Sequence, residues 1–407
     1  MKNKDMRKNN EIKTVVPALR FPEFRELDRW EILPIGYLCQ ILNNQRKPIP
    51  EILRVKGPYP YYGASGIVDY INAYIFDEEL LLIGEDGAKW GAYENTAYIA
   101  NGKFWVNNHA HVLRPIRVNI VVLKNYLIQL DLTQYITGAA PPKLTLGKLK
   151  EIGIPISKNP QEQQKIADCF STLDELIEAT SQEVDALKEH KKGLMQRLFP
   201  AEGKDVPDLR FPEFQGMKGW EKKQVKDFGE VITGNTPSKK EENYWNGDFV
   251  WVTAQDFKGK YINDSILKLT KLGKDRARVI PKDSVLVTCI ASIGLNAINK
   301  VECSTNQQIN TICCNQEYNY EYVYYLVTYN TKNLKQLAGQ TAVPIITKKS
   351  FEEFEVYVIE NYDEQQKIAD CLSSIDELIE ATSQKVEILK EHKKGSVSYT
   401  HLTLPTT

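Results

Sequence analysis

Two short stretches carry residue types that would suit catalysis or metal binding. His109 and His111 lie two positions apart in a predicted strand, so both side chains are expected on one face. Two imidazoles there would allow a metal site, but the sequence shows no third ligand, and a structural or DNA-facing role is favoured. Gly84-Glu85-Asp86-Gly87 offers two carboxylates, yet it directly follows the predicted strand Leu80–Ile83 and is better explained as a turn.

The motifs of the common catalytic classes are missing from the sequence. There is no glycine-rich phosphate loop, no His-Glu-x-x-His pattern and no Asn-Pro-Pro-aromatic tetrad of the adenine methyltransferases. Cys303, Cys313 and Cys314 form no Cys-x-x-Cys pair, which argues against zinc. We therefore predict a binding protein with no catalytic residues, no metal and no cofactor of its own.

Polar residues suited to reading nucleic acid are frequent in the predicted loops. Arg and Lys pair with guanine edges and hold phosphates, whereas Asn and Gln pair with adenine edges. The candidates in the first half of the chain are Asn43, Asn44, Arg46, Lys47, Tyr61, Tyr62, Ser65, Lys89, Trp90, Asn107, Asn108 and His109. Those in the second half are Asn235, Thr236, Ser238, Lys239, Lys240, Gln255, Lys258, Arg276, Arg278, Thr305, Asn306 and Gln307.

These residues lie in a chain that repeats one long stretch. Glu162–Gly193 and Glu364–Gly395 are identical at 26 of 32 positions, at an offset of 202 residues. Neither copy has a proline or an internal glycine, and both are rich in strong helix formers. We predict two long helices; a continuous helix from Glu162 to Leu198 would be about 55 Å long.

The apolar residues of each predicted helix recur every three or four positions, which is the spacing of a coiled-coil seam. They are Ile166, Phe170, Leu173, Ile177, Val184 and Leu187 in the first copy and Ile368, Leu372, Ile375, Ile379, Val386 and Leu389 in the second. A narrow seam needs a partner, so we predict that the helices pair and space two domains apart. The alternative is a pair of unrelated surface helices, which would not need to share their sequence.

A second repeat marks the entrance to each domain. Leu19–Phe24 and Leu209–Phe214 both read LRFPEF, and each is followed by Trp-Glu. Between this connector and the helix lie the variable regions 31–159 and 221–361, in which Gly, Asn and Pro separate short β-branched and aromatic runs. We predict two α+β domains with mixed β-sheets. A scaffold kept the same around divergent inserts is expected when the inserts bind different targets.

Composition narrows the class of protein further. The net charge is −1, so no global basic field indicates nucleic acid, and 42% hydrophobic residues suit a globular protein. We predict that the seven cysteines are reduced thiols in a cytoplasmic protein. We predict no signal peptide, because Met1–Lys13 is charged and lacks an apolar core, and no apolar run reaches the ~20 residues that cross a bilayer.

The end of the chain departs from the repeat. The first helix continues after Gly193 as LMQRLFP, whereas Gly395 is followed by the Thr-rich sequence SVSYTHLTLPTT. We predict that the second helix ends at Gly395 and that the tail is foreign. The second copy then lacks counterparts of Leu194 and Leu198, which should weaken helix pairing or partner docking.

Two divergent regions, each followed by a copy of one long helix, resemble the specificity subunit of type I restriction–modification systems. Gly234-Asn235-Thr236-Pro237, with Tyr244–Asp248 and Trp251, is similar to the start of a target recognition domain. Tyr59–Ile67 with Leu82–Gly87 is similar to another branch of that domain, which lacks the Gly-x-Thr-Pro start. The resemblance covers about 19–395.

The resemblance implies a function for each part of the chain. Each recognition domain would read one half of a bipartite site in double-stranded DNA, and the two helices would pack antiparallel about a pseudo-two-fold axis to set the gap. Two methyltransferase subunits would dock on the helices, and restriction and motor subunits would join them. S-adenosylmethionine, ATP and Mg²⁺ would belong to those partners.

The predicted domains follow the same plan. They are a mobile N-terminal segment 1–18, a connector and first recognition domain 19–159, a first spacer helix 160–199, a connector and second recognition domain 200–361, a truncated second spacer helix 362–395, and the foreign tail 396–407. The alternative function is a two-domain coiled-coil adaptor that binds proteins. An adaptor would show no sequence-dependent, salt-sensitive binding to DNA, and a nuclease would need clustered carboxylates with a metal.

Overall fold

The computed structural model describes residues 12–201, 203–339 and 343–400, with side chains as far as residue 396. The chain divides into two compact units, residues 1–182 with 383–407, and residues 183–382. The boundary cuts through both long helices, so each unit contains one variable region together with part of each helix. The predicted division treated the helices as separate domains, whereas the packing joins each half-helix to a globular region.

The first unit is an α+β structure. Its strands and helices, in chain order, are β1 Thr14–Val15, β2 Trp30–Pro34, α1 Ile35–Leu38, β3 Cys39–Ile41, β4 Lys56–Gly63, β5 Gly66–Ile71, β6 Phe76–Asp77, β7 Leu80–Gly84, β8 Ala97–Ala100, β9 Lys103–Val106, β10 Ala110–Pro115, α2 Ile120–Gln129, α3 Leu146–Glu151, β11 Gly153–Ile156 and the start of α4 Pro160–Leu198. Asn119 caps α2 by accepting hydrogen bonds from the backbone of the first turn.

Two four-stranded sheets form the variable region of this unit. One has the order β3-β10-β7-β8 and is antiparallel; the other has the order β5-β4-β9-β6 and includes the parallel pair β4–β9. The predicted mixed sheets are therefore confirmed. A separate sheet, β1-β2-β11, brings the connector back to the end of the region.

The second unit repeats this plan with its own elements. They are β12 Glu221–Gln224, β13 Gly229–Thr233, β14 Trp245–Val252, β15 Tyr261–Ile262, β16 Leu267–Leu269, α5 Lys271–Lys274, β17 Val285–Thr288, β18 Asn296–Asn299, β19 Ser304–Thr305, β20 Ile309–Cys314, α6 Tyr320–Tyr329, α7 Thr331–Gln336, α8 Lys348–Glu352, β21 Glu355–Val358 and the start of α9 Tyr362–Thr400.

The two variable regions share the central part of their topology although their sequences differ, and the second unit adds β15 to its larger sheet. The order β13-β20-β17-β18 repeats β3-β10-β7-β8, and the parallel pair β14–β19 repeats β4–β9. Tyr61 therefore corresponds to Trp251, and Asn107 to Asn306. The sequence predicted the same class for both regions but gave no residue-by-residue match between them.

A buried ion pair joins each connector to its long helix. Arg20 donates two hydrogen bonds to Glu162, at 2.7 and 2.9 Å, and Trp30 Nε1 donates to the same carboxylate at 3.2 Å. The Arg20 and Glu162 side chains are only 7% and 1% exposed. In the second unit Arg210 and Glu364 repeat the pair at 2.8 Å. The two repeated motifs of the sequence therefore bind each other, and we call this contact the latch.

The other letters of the repeated Glu-Gln-Gln-Lys sequence extend the latch. Gln163 Oε1 accepts a hydrogen bond from the backbone N–H of Asn119, and Gln164 Oε1 accepts one from the Asn119 side chain. Lys165 pairs with Glu23 at the surface. The same contacts recur at an offset of 202 residues in the helix of the second unit. The docking of each helix on its own unit thus explains why the first four residues of the repeat are the same in both copies.

The predicted seam has two kinds of residue. Ile166 and Phe170 are buried in a cluster with Trp30 and Val122, and their counterparts Ile368 and Leu372 are buried with Trp220 and Tyr322. These four seam residues pack against the globular part of their own unit, which corrects their assignment to helix pairing. Val184 and Val386 are also buried, and the other seam residues are half-buried: Leu173, Ile177, Leu187, Ile375, Ile379 and Leu389.

The two ends of the chain differ from the prediction. Residues 12–18 are not mobile throughout, because Thr14 and Val15 form β1 and pair with Glu31 and Trp30. Helix α9 does not end at Gly395; it continues to Thr400 and equals α4 in length at the same register. No proline interrupts these positions, so an established helix can propagate through weaker helix formers. Residues 1–11 and 401–407, on which the other terminal predictions fall, lie outside the described part.

Candidate nucleic-acid interface

The candidate residues of the first unit gather at one end of its two large sheets. Strands β3, β4, β7 and β9 end there and β10 begins there, since Ala110 pairs with Gly84 and Tyr62 pairs with Val106. The backbone of Leu144 joins the same end by donating to the Glu85 carbonyl at 2.8 Å. Loops from distant parts of the sequence therefore form one surface, which we call the first loop surface.

Arg46 connects the loops of the first loop surface through hydrogen bonds. Its Nη1 donates to Glu85 Oε2 and to the carbonyl of Ala110, both at 2.7 Å. Asn43 adds a hydrogen bond from its side chain to His111 Nδ1 at 2.7 Å and accepts one from the Val112 backbone. Arg46 and Asn43 were predicted to face DNA, but their functional groups are used inside the protein.

Three further predicted residues of this unit are buried. Tyr61 accepts a hydrogen bond from the backbone of Ile49 at 2.9 Å, and Trp90 Nε1 donates to the Gly84 carbonyl at 3.3 Å. Asn107 accepts a hydrogen bond from the His109 backbone at 2.8 Å. Their burial corrects the prediction, since each side chain positions a loop. The residues left at the exposed face are Asn44, Lys47, Ser65, Lys89, Asn108 and His109, with Tyr62 half-buried against Tyr98.

The two histidines do not point to one face. His109 lies in the turn before β10 and is half exposed, whereas His111 lies on β10 and is buried. The acidic segment is a turn, as favoured by the sequence, and Asp86 contacts His109 and Lys143. Burial opposes ionisation of Asp86, but the hydrogen bonds from Lys143 and His109 outweigh it and lower its pKa. In the part of the chain that the structure describes, no group of three His, Cys, Asp or Glu residues is placed to hold a metal ion.

His111 gives the first unit a predictable response to acid. Burial lowers its pKa, although the Leu144 carbonyl and Glu85 favour the charged form and Arg46 opposes it. Below about pH 6.5, His111 therefore binds a proton in the unfolded chain but not in the folded unit. The stability of the folded unit consequently falls as the pH falls. We expect the free energy of unfolding of this unit to fall by up to about 1.4 kcal/mol per pH unit.

Urea unfolding at a series of pH values measures this loss. The His111→Gln variant removes the titrating group, so its stability should vary less over the same interval. Equal slopes for the variant and the unchanged protein would show that other groups control the response.

The candidate residues of the second unit form an equivalent surface. Asn235 Nδ2 donates to the Arg276 carbonyl at 2.8 Å, and its Oδ1 accepts from the Arg278 backbone at 2.7 Å. The Thr236 hydroxyl donates to Gln307 Oε1 at 2.6 Å. We call this the second loop surface.

The Gly-Asn-Thr-Pro motif has a structural explanation on this surface. A Cβ atom on Gly234 would lie 2.3 Å from the Asn306 carbonyl oxygen and 2.1 Å from Thr305 Oγ1, so only glycine fits. Thr305 itself is buried, which corrects its assignment to DNA. The motif ties the loop after β13 to the loop before β20.

The remaining second-unit candidates lie at or near the surface. Asn235, Thr236 and Asn306 are half-buried, and Ser238, Lys239, Lys240, Gln255, Lys258, Arg276, Arg278 and Gln307 are exposed. Gln255 and Lys258 lie on the turn that follows β14.

One pair of equivalent residues could not be matched from the sequence. The Asn107 backbone donates to the Tyr62 carbonyl at 3.0 Å, and the Asn306 backbone donates to the Val252 carbonyl at 3.1 Å. Each side chain then accepts from the backbone two residues later. In the sequence, the only sign of this equivalence is that an Asn begins a polar triplet before a strand in both regions, Asn-Asn-His in the first and Asn-Gln-Gln in the second.

Comparisons with known proteins decide the family. A family model described as the type I restriction modification DNA specificity domain matches residues 28–189 and 217–391. The chain belongs to the type I restriction–modification DNA specificity family. The two matched segments contain both loop surfaces and nearly all of the repeated helical stretches, so the predicted resemblance is confirmed.

Curated relatives of this specificity family are similar over parts of the chain. A putative type I restriction enzyme specificity subunit of Haemophilus influenzae is 39% identical over 34% of this chain and 37% of its own length. The type I restriction enzyme MjaIX specificity subunit of Methanocaldococcus jannaschii is 36% identical over 43% of this chain and 42% of its own. The matches thus span about two fifths of these relatives.

Solved structures are similar over nearly the whole chain. The S subunit of a type I restriction–modification system from M. genitalium gives a TM-score of 0.66 at 14% identity, covering 96% of this chain and all of that one. A chain from a study of complex assembly and conformational transition in the type I system gives 0.51 at 16% identity, covering 92% of this chain and 98% of that one. At these identities the likeness shows the specificity-subunit fold alone. No helix among the described residues is long and apolar enough to cross a bilayer.

Proposed function

We propose that this chain is the DNA sequence-specificity subunit of a type I restriction–modification complex, and that each loop surface reads one half of a bipartite site. The observation that carries the proposal is the duplicated topology with divergent loops. The strands and latches repeat, whereas the exposed residues at equivalent sheet ends differ, such as Asn108 and Gln307. One scaffold with two different reading surfaces suits a target with two different halves.

The long helices are proposed to pair antiparallel as a coiled-coil spacer that sets the gap between the half-sites. Two ion pairs at an offset of 202 residues support this. Asp174 pairs with Lys393 at 2.5 Å in the first unit, and Asp376 pairs with Lys191 at 2.6 Å in the second. A helix of about 55 Å exceeds the ~34–36 Å between half-sites one turn apart.

The spacer helices are also proposed to dock two methyltransferase subunits, which recruit the restriction and motor subunits. Leu176 is 42% exposed and its counterpart Leu378 is 48% exposed, so each copy of the repeat presents the same apolar residue to solvent. Packing explains why the two copies of the repeat share the same residue at a buried position. The same apolar residue at an exposed position of both copies suits a partner protein that binds once to each copy. Catalysis, with S-adenosylmethionine, ATP and Mg²⁺, is assigned to those partners, and the complex to the cytoplasm, where the seven free thiols would stay reduced.

Mapping of DNA methylation tests the proposal. Residues 1–395 and the full chain are each co-expressed with a cognate methyltransferase subunit in a host that lacks adenine methylation, and modified bases are located by single-molecule sequencing. A split motif with a fixed gap supports the proposal. Assembly of the complex without methylation at any motif, or without salt-sensitive binding to DNA, would instead favour the protein-binding adaptor.

Two exposed lysines of the second loop surface should hold phosphates. We expect Lys239→Ala with Lys240→Ala to weaken binding to all DNA sequences alike, because phosphate contacts carry no base information. The slope of log K against log salt should become shallower by about one for each lysine. Lys222→Ala is the matched control, because Lys222 is exposed on the β12–β21 sheet and pairs with Glu355. Equal salt slopes for the two variants would remove these lysines from the interface.

A further inference from the structure

The loop between β3 and β4 has an apolar tip that the fold does not bury. Ile52 is 92% exposed and Leu53 is 67% exposed, and both belong to the short helical turn Glu51–Leu53. Pro48 and Pro50 precede the turn and are also exposed. Contact between large aliphatic side chains and water is unfavourable, and it contributes nothing to the stability of a monomeric fold.

The tip is held rigidly despite its exposure. Leu53 donates to the Pro50 carbonyl at 2.9 Å, and Arg54 Nε donates to the Ile49 carbonyl at 3.0 Å. The Arg54 guanidinium lies 4.5 Å from the centre of the Tyr61 ring, and the Tyr61 hydroxyl accepts from the Ile49 backbone. Prolines fix two further backbone angles. A tip fixed in advance loses little conformational entropy on binding.

The tip is continuous with the first loop surface. A cavity of about 300 Å³ is lined on one side by the loop, through Pro48, Ile49 and Pro50, and on the other by Asn108 and His109. The Lys47 backbone donates to Val106, and Trp105 Nε1 donates to the Lys47 carbonyl at 2.6 Å. A duplex that contacts Lys47, Asn108 and His109 therefore also meets the tip.

We propose that Ile52 and Leu53 form a wedge that enters between two stacked base pairs of the DNA and opens that step. Aliphatic side chains inserted in this way unstack a base step and bend the duplex, and the bend brings more of the DNA backbone onto the protein. The occupant is duplex DNA because the tip adjoins base-reading residues and is flanked by the exposed cations Lys47 and Lys56, while Glu51 is the one acidic side chain of the turn. The wedge rests on the proposed DNA-specificity function and adds shape reading to it.

The second unit carries an internal contrast. The loop between β13 and β14 occupies the equivalent place in the topology, and it is anchored by Trp251 Nε1, which donates to the Asn235 carbonyl. Its exposed residues run from Ser238 to Asn243 and are all polar or charged. The structure therefore assigns the wedge to one half-site only, and the other half-site should remain stacked.

The test uses the full chain assembled with methyltransferase subunits, and duplexes that carry the motif found by methylation mapping. The fluorescent base 2-aminopurine replaces in turn each adenine of the motif that is not methylated, because its emission rises when it is unstacked and the methyltransferase itself turns its target adenine out of the stack. We expect a rise at one step in the half-site of the first unit and none in the other half. Ile52→Ser with Leu53→Ser should abolish the rise. Ile116→Ser is the matched control, since Ile116 is 54% exposed but follows the opposite end of β10.

A second readout measures the energy of unstacking. A mismatched base pair at the opened step is already weakened, so unstacking it requires less free energy than unstacking a matched pair. We therefore expect the unchanged protein to bind the mismatched duplex about tenfold more tightly than the matched duplex. The double variant should lose most of this preference. Because the changed residues are exposed, folding should persist, and thermal unfolding checks it.

Each outcome separates the wedge from the function on which it rests. Absence of sequence-dependent DNA binding by the unchanged complex would overturn both. Normal motif binding without an unstacking signal, or with a signal that the double variant keeps, would overturn the wedge alone. Failure of the double variant to assemble with methyltransferase subunits, with normal unstacking in the fraction that assembles, would make the tip a protein-docking surface instead.

Discussion

Replacing Glu162 with alanine is expected to lower the free energy of unfolding of the first unit by about 3–5 kcal/mol. The change leaves the buried Arg20 guanidinium without its carboxylate and removes the acceptor for Trp30 Nε1. Ser157 also loses its hydrogen bond to the same side chain. The large effect arises because one partner of a buried pair is removed and the other charge stays in the protein interior.

Differential scanning calorimetry of the full chain measures this loss, because the two units should unfold as separate transitions. Glu162→Ala should shift the transition of the first unit, and Glu364→Ala should shift that of the second. Lys165→Ala is the control in the same motif: Lys165 pairs with Glu23 at the surface and should cost no more than about 1 kcal/mol. A Glu162 variant as stable as the Lys165 variant would refute the latch.

Replacing Phe199 with alanine is expected to destabilise the second unit by about 3–5 kcal/mol. Phe199 is fully buried, and its ring centre lies 5.7 Å from that of Trp220, 5.9 Å from Tyr322 and 5.2 Å from Tyr329. Removing the ring leaves a cavity among three aromatic side chains that cannot collapse to fill it. Urea unfolding provides the measurement, and Met217→Ala, at an exposed position of the same unit, is expected to change stability by no more than about 0.5 kcal/mol. A loss below that of an ordinary surface substitution would contradict the role of Phe199.

The reciprocal experiment concerns the end of the chain. The counterpart of Phe199 at the repeat offset is His401, and those of Leu194 and Leu198 are Ser396 and Thr400. Placing Leu-Met-Gln-Arg-Leu-Phe-Pro after Gly395 should strengthen assembly with the methyltransferase subunits. Assembly is measured by size-exclusion chromatography with light scattering. Unchanged assembly would show that the present tail does not weaken binding to the methyltransferase subunits.

The sequence predicted the scaffold better than the interface, for a physical reason. The helices could be predicted because a 32-residue repeat with a regular apolar spacing has few alternative structures. The mixed sheets followed from short β-branched runs. The latch was missed because a charged residue at the start of a helix is normally expected to face solvent. Arg20 and Glu162 are 142 positions apart in the sequence, and only the folded structure shows that they form a hydrogen bond.

The interface was predicted by residue type, and type alone does not separate a base-reading side chain from a loop anchor. Tyr61, Trp90 and Asn107 have side chains that could read a base, but the Tyr61 hydroxyl, Trp90 Nε1 and Asn107 Oδ1 form hydrogen bonds with the backbone of Ile49, Gly84 and His109. Conversely, the candidates contain no aliphatic residues such as Ile52 and Leu53, because they were chosen for pairing with base edges and phosphates. The burial of the first three side chains and the exposure of the other two depend on the tertiary structure, which residue type does not predict.

The latch also has a consequence for inheritance. Both copies use the same arginine, glutamate and glutamine contacts, so this part of the joint does not depend on which globular region is attached to it. A genetic crossover within the repeated stretch would exchange one globular region for another and keep these shared contacts. On the proposed DNA-specificity function, one recombination event would then supply a new DNA target.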